Sequence, residues 1–288
     1  MMGEDQVVTV DQDLGAVERK RNPDHAHMSV EGAQGNILIM HLAVLKSKYL
    51  SNFKSTIKKQ PLLLFLVLIR SEYKFKINST GHYSQFGEDQ ILDKLLPEKK
   101  GFFLDIGAGR PIRGSNTYLF YKRGWNGILI DPLTTNYFLS KIFRPKDKKI
   151  KALVSTSAEN VIFYELEPYE YSTTDKHRID ELINSKRAVL TKKMKLKSIS
   201  ISDLYFNINE NLPSLLSIDC EGLDFEVLKS INFQACRFRV VCVEDFDYVD
   251  NNKGSAINSY MENQGYKLVN RKNVSSIYLF SSVQKNYL

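Results

Sequence analysis

The pattern of apolar and polar positions changes twice along the chain. Residues 1–31 show no apolar periodicity and read as a polar tail. Two apolar runs follow, Ile37–Leu45 (interrupted by His41) and Leu62–Ile69. Each is far shorter than the ~20 apolar residues a membrane-spanning helix needs. Neither resembles a secretory signal, because acidic residues precede them and no small-residue cleavage site is evident. Between the runs, Tyr49, Leu50, Phe53 and Ile57 are apolar at helical spacing, with a basic face opposite. Such a helix either lies on an anionic lipid surface or packs on the domain beside it.

From Gly81 the texture becomes an alternation of strands and helices. Short apolar runs predict strands at Phe102–Ile106, Gly127–Asp131, Ile150–Val154, Leu215–Asp219 and Phe238–Val243. Helices are predicted between them, at about 115–122, 133–142, 200–206 and 223–229. Lys267–Asn270 and Ser276–Ser281, joined by a turn around Arg271–Asn273, read as an antiparallel closing pair. This order predicts an α/β fold: a Rossmann-like, doubly wound, mostly parallel sheet of seven strands with an antiparallel C-terminal strand. A helical or irregular N-terminal extension, residues 1–80, precedes the domain at residues 81–288.

Composition narrows the class without naming it. Hydrophobic residues make up 43% of the chain and charged residues 25%, which argues against disorder across its whole length. The net charge of +7 is uneven: −4 over residues 1–31, +7 over 32–80 and +4 over 81–288. The basic balance therefore belongs mainly to the segment ahead of the domain. No aromatic-interleaved basic motif or zinc knuckle accompanies it, so nucleic acid is not expected as a partner. Residues 32–80 are instead a candidate for peripheral membrane contact, and the expected location is cytoplasmic, with membrane association through that segment. The odd number of cysteines (Cys220, Cys236 and Cys242) and the lack of CxxC spacing argue for packed, reduced thiols.

In an open α/β sheet, ligands bind beyond the carboxyl ends of the strands, near the reversal of strand order. Four polar constellations are expected on that edge. Asp105-Ile-Gly107-Ala108-Gly109 offers small residues for a tight turn and close backbone approach, and Asp105 adds a carboxylate suited to an ammonium group. Asp131, at the tip of the next strand, can accept hydrogen bonds from ribose hydroxyls. These features alone leave a dinucleotide and S-adenosylmethionine both open. A dinucleotide fingerprint, however, wants a small residue where Ile112 stands, which disfavours a pyrophosphate. The third constellation is Ser217-Ile-Asp219-Cys-Glu221-Gly222-Leu-Asp224, and the fourth is Glu244-Asp245. Several carboxylates at one strand tip repel one another unless they bind something, although helix capping accounts for Asp224.

Several motifs in order resemble the FkbM family of methyltransferases over residues 83–281. They are Tyr83-Ser-Gln-Phe-Gly-Glu-Asp-Gln-Ile-Leu, then Phe103-Leu-Asp-Ile-Gly-Ala-Gly, then Ser115-Asn-Thr-Tyr and Gly124-Trp-Asn-Gly-Ile-Leu-Ile-Asp-Pro. The last is Leu216-Ser-Ile-Asp-Cys-Glu-Gly-Leu-Asp-Phe-Glu-Val-Leu, similar to the family's Asp-x-Glu-Gly signature. The resemblance implies S-adenosylmethionine as methyl donor and a hydroxyl acceptor on a sugar, polysaccharide or secondary metabolite. By position it implies that Gly107, Ala108 and Gly109 line the methionine and ribose, with Asp105 near the amino group and Asp131 on the ribose. It puts Ser115 and Asn116 at the start of a helix facing the cofactor's polar end, and Ser155 or Thr156 near adenine. It puts Asp219 and Glu221 beside the transferring methyl. The acceptor itself, a small molecule or a glycan, depends on site loops that resemblance does not set.

Methyl transfer to a hydroxyl needs alignment and proton removal. Asp219 or Glu221 is the expected proton acceptor or orienting group, with His82 and His177 as competing bases. His177 lies in Tyr169–Arg187, read as an insertion that covers the acceptor. No metal is expected at Asp219, Glu221 and Glu244, since no histidine ligand accompanies them. Two alternatives stand beside this reading: a noncatalytic module that retains the cofactor pocket, and an NAD-dependent oxidoreductase.

Overall fold

A computed structural model describes residues 61–156, 159–201, 214–245 and 256–281. The polar tail, the run Ile37–Leu45 and the basic-faced helix at 46–59 lie outside the described residues. The chain separates into two compact units, residues 1–64 and 65–288.

In chain order, helix α1 is Pro61–Asn78 and α2 is Glu88–Leu95, followed by β1 (Phe102–Ile106), α3 (Tyr118–Arg123), β2 (Asn126–Ile130), α4 (Thr134–Phe143) and β3 (Lys148–Ile150). Next come β4 (Leu153–Ser155), β5 (Asn160–Glu167), α5 (Lys176–Asn184), β6 (Val189–Ser200), β7 (Ser214–Ile218) and α6 (Asp224–Lys229). The chain then forms β8 (Val240–Glu244), α7 (Ala256–Asn263), β9 (Tyr266–Lys272) and β10 (Ser275–Phe280).

Seven strands form one sheet in the order β3-β2-β1-β7-β8-β10-β9. β1 pairs in parallel with both β2 and β7, and β10 pairs antiparallel with β8 and β9. This is the Rossmann-like, mostly parallel sheet that the sequence predicts. Every residue of β7 (Ser-Leu-Leu-Ser-Ile) is buried, which explains why it shows no apolar–polar alternation with exposed positions: parallel strands are covered on both faces. Side-chain parity in β1 confirms the two covered faces. Leu104 and Ile106 pack with Leu216, Val241 and Tyr278, while Phe103 packs with Leu92, Trp125 and Ile277. Strand order reverses at β1, so the crevice beyond its carboxyl end is the place for a ligand.

Two expectations change. The single strand predicted at Ile150–Val154 is two: β3 closes the edge of the main sheet beside β2, and β4 turns away to pair with β6. The helix predicted at 200–206 gives way at its start to β6, which runs to Ser200 and pairs antiparallel with β5; residues 202–213 lie outside the described residues. Within β6, Lys193, Lys195 and Lys197 alternate with Met194, Leu196 and the buried Ser198, a period of two that marks a half-buried strand. The β5–β6 hairpin and α5 together form a small lobe with its own apolar cluster of Leu166, Ile179, Leu182 and Ala188.

A buried polar cluster braces the sheet below the ligand edge. Arg144 is fully buried and pairs with Asp147 at 2.7 Å. Its Nη1 donates to both Thr117 Oγ1 at 2.9 Å and Ser115 Oγ at 3.2 Å, and its guanidinium lies 5.0 Å from the Phe103 ring centroid. Among the described residues, no helix is long and apolar enough to cross a membrane.

Candidate active site

The loop after β1 is built to let backbone stand where side chains would collide. Gly107 has a left-handed backbone with φ +75°, and a Cβ there would lie 1.7 Å from the Asp219 carbonyl oxygen. The amides of Gly107 and Ala108 donate to Ile130 O at 2.9 and 3.1 Å, and Asp219 N donates to Ile106 O at 3.0 Å. The tips of β1, β2 and β7 are thereby tied together around one point.

Asp131 sits one residue beyond β2. Its carboxylate accepts from Leu133 N at 2.8 Å and Gly109 N at 2.9 Å, and Asn136 Nδ2 reaches both oxygens at 3.2 Å. Burial pushes its pKa up to about 7, against the lowering effect of those donors. Asn136 is shared across two oxygens at longer distances, so it is the donor most readily exchanged for a ligand hydroxyl.

The turn after β7 carries the acids. Glu221 adopts a left-handed backbone (φ +51°), uncommon for a residue with a side chain. Asp224 holds that turn: it is buried, and its two oxygens accept from Cys220 N at 2.8 Å and Gly222 N at 3.1 Å. The acid expected to cap the helix therefore secures the preceding turn instead. The small lobe clasps the same turn, with Thr173 Oγ1 donating to Glu221 O at 2.9 Å and Arg178 Nη2 to Glu221 Oε2 at 2.6 Å. Carboxylate oxygens of Asp219, Glu221 and Glu244 come within 4.8 Å of one another. Asp219 keeps a solvent-facing surface within this concave wall, yet the surrounding atoms still strip much of its hydration. That desolvation, then the charges of Glu221, Asp224 and Asp105, raises its pKa well above the usual carboxylate range. A hydrogen bond from the partly buried Glu244, itself raised by burial and by Asp219, opposes that shift. Like charges this close disfavour ionisation of both carboxyls at once.

These elements converge on one cleft enclosing about 720 Å³ of empty space, part of it open to solvent. Gly107, Ala108, Gly109, Asp131, Asp219 and Glu221 all stand on its wall. Asp105, Ser115, Asn116 and Ser155 do not. Asp105 is buried and accepts from Thr117 Oγ1 at 2.5 Å; burial raises its pKa, and the nearby Arg144 partly offsets the rise. Ser115 Oγ accepts from Tyr118 N at 3.1 Å, so it does open α3, but from within the buried cluster. Asn116 donates to Ser217 Oγ at 3.2 Å. Ser155 ends β4 opposite Ser200. Neither His82 nor His177 reaches the wall, and both are exposed. The three cysteines are free thiols.

Some wall residues escaped sequence reasoning. Arg110, Arg113 and Gln85 line one part of the cleft and Phe163 another, beside Tyr169 and Ser172 from the segment expected to cover the acceptor. The alternation in β6 was a usable signal for the lobe, and the two arginines stand in a loop already picked out for its glycines. An apolar recess adjoins the cleft between Ile130, Pro132, Leu153, Cys220 and Leu223.

The family model of the methyltransferase FkbM domain matches residues 105–268, more than half of the chain. The chain belongs to the FkbM methyltransferase family. The matched stretch runs from the first residue of the glycine loop into β9, so it takes in Asp131, Asp219, Glu221, Glu244 and the small lobe. It leaves α1, α2 and Gln85 ahead of the FkbM domain. No curated protein matches the chain.

Proposed function

We propose that this FkbM methyltransferase uses S-adenosylmethionine and methylates a hydroxyl oxygen of a small-molecule or glycan acceptor. The observation that carries the reading is the convergence of Asp131, Asp219 and the Gly107–Gly109 backbone on a single cleft. Its donor and acceptor set fits the methyl donor. The carboxylates of Asp131, Asp219 and Glu221 suit a cation and a ribose diol, and the apolar recess beside Pro132 and Leu223 suits a purine face. A pyrophosphate fits less well. Helix α3 begins only at Tyr118, so no helix N-terminus follows Gly109 directly, and Ile112 is fully buried.

When bound, S-adenosylmethionine supplies an electrophilic methyl carbon on a sulfonium. The protein's part is placement and proton handling. Asp131 holds the ribose hydroxyls, and the glycine loop lets the backbone approach without side chains intervening. The small lobe, through Arg178 and Thr173, keeps Glu221 and its turn fixed against the cleft. Asp219 accepts the acceptor's hydroxyl proton as the new carbon–oxygen bond forms and the carbon–sulfur bond breaks. A cation beside Asp219 favours its ionised form, the form that can accept the proton.

Asp219→Asn and Glu221→Gln test this in single-turnover transfer of labelled methyl across sugars, nucleotide-sugars and glycolipids. A loss of at least about 100-fold is expected for Asp219→Asn, in the range of general-base contributions. Unchanged rates for both variants would remove the two acids from the mechanism, and failure of S-adenosylhomocysteine to bind would remove the donor.

A further inference from the structure

Most charged groups on the wall are acidic, but one stretch is basic. Arg110 and Arg113 both line the cleft, together with Gln85. A single carboxylate stands behind them. Glu72, on α1, is fully buried; its Oε1 pairs with Arg110 Nε at 2.6 Å, and its Oε2 accepts from Ile112 N and Arg113 N at 3.2 Å each. The Arg110 side chain is only 10% exposed, and its buried Nη2 has no hydrogen-bond partner among the described residues. Two guanidinium groups against one carboxylate leave this stretch with residual positive charge and an unsatisfied donor, a costly state in a partly desolvated wall.

The stretch is also rigid. Gly114 N donates to Tyr83 O at 2.7 Å, and Ser84 bridges Gly114, so Gln85 is fixed beside the arginine loop. Asp89 anchors the other side, accepting from Tyr83 N at 2.6 Å and Ser84 Oγ at 2.7 Å. The Arg113 guanidinium lies 5.9 Å from the Phe75 ring centroid. Glu72 and Phe75, which orient the two arginines, precede both the matched stretch at residue 105 and the motif that opens at Tyr83. Groups ahead of that stretch suit acceptor choice, which varies among proteins that share one fold.

We propose that Arg110, Arg113 and Gln85 form an oxyanion-binding subsite for the acceptor, which therefore carries a carboxylate or phosphate near the hydroxyl that is methylated. Planar guanidinium groups match such oxyanions in bidentate fashion, and Glu72 sets their orientation. The inference rests on the methyl-transfer reading above and deepens it.

The test is calorimetry on the full chain loaded with S-adenosylhomocysteine, titrated with inorganic phosphate and with glucuronate, and with glucose as the neutral control. Both anions should bind at least ten-fold more tightly than glucose. Arg113→Gln should abolish that preference while changing S-adenosylhomocysteine affinity less than three-fold. The subsite is refuted if the anions show no preference over glucose. It is equally refuted if Arg113→Gln weakens S-adenosylhomocysteine ten-fold or more, because the arginines would then hold the donor's own carboxylate. S-adenosylhomocysteine that fails to bind the unaltered chain defeats the methyl-transfer reading instead, a distinct result.

Discussion

Gly107 and Gly109 share a left-handed backbone, yet alanine at the two positions should have different consequences. At Gly109 (φ +58°), the nearest atom to an added Cβ is 3.9 Å away, so the substitution meets conformational strain alone. That strain is about 1–2 kcal/mol. At Gly107 (φ +75°), the same strain applies, but the Cβ would lie 1.7 Å from the Asp219 carbonyl oxygen and 2.7 Å from its carbon. Both neighbours are backbone, so relief requires the tips of β1 and β7 to part by more than 1 Å, an approximate figure set by ordinary contact distances. Such parting strains the bond from Asp219 N to Ile106 O, which ties the two tips together. An overpacking cost of about 1–3 kcal/mol adds to the strain, for a total of about 2–5 kcal/mol. For a unit of this size, each kcal/mol lowers Tm by about 2–4 °C. Thermal melting should therefore show Gly109→Ala falling by about 2–8 °C, and Gly107→Ala by an additional ~2–12 °C in the same buffer. Equal shifts for the two variants would refute the claim that β1 and β7 are held in contact at this point.

Other predictions concern charge. Arg144→Ala should destabilise by about 3–5 kcal/mol in denaturant unfolding, because it strands the buried Asp147 and Asp105 without their cation; a loss below 1 kcal/mol, roughly the worth of a surface pair, would contradict the buried network. Asp131 binds its proton more tightly folded (about pH 7) than unfolded, so its contribution to stability declines as pH rises from about 4 to 7. The decline is at most about 4 kcal/mol, and Asp131→Asn should flatten that part of the stability–pH curve. Asp224→Ala should cost about 2–3 kcal/mol by freeing two turn amides. It should also slow methyl transfer by displacing Glu221, and an unchanged rate would argue against a rigid turn. Finally, Arg178 already neutralises Glu221, and burial and neighbouring charges push Asp219 and Glu244 toward their neutral forms. Methyl transfer should therefore proceed at the same rate with a chelator present, and a rate that requires added divalent ion would overturn this.

Local patterning alone determined the parallel core. β1, β2 and β7 are short, mostly apolar runs with an acid at or just beyond the carboxyl end, and their order, with the antiparallel pair at the C-terminus, was enough to place the ligand edge. The reason is physical: a strand buried on both faces has few residue types open to it, so its sequence reports its environment. Asp131, Asp219 and Glu221 followed, because each stands just beyond the last residue of its strand, on that edge. What tertiary structure decided were relations between distant positions. Asp105 occupies the same kind of place in the sequence as Asp131, but Thr117 and Arg144 claim it, and the arginine comes from beyond α4. Nothing near Asp105 announces a buried cation on that side of β1. The split of one predicted strand into β3 and β4 depended on a pairing with β6 more than forty residues later. The basic stretch of the cleft likewise exists because Glu72 reaches the loop across 40 residues of chain. Contacts of that range leave no periodicity in either segment, so only the folded chain reveals them.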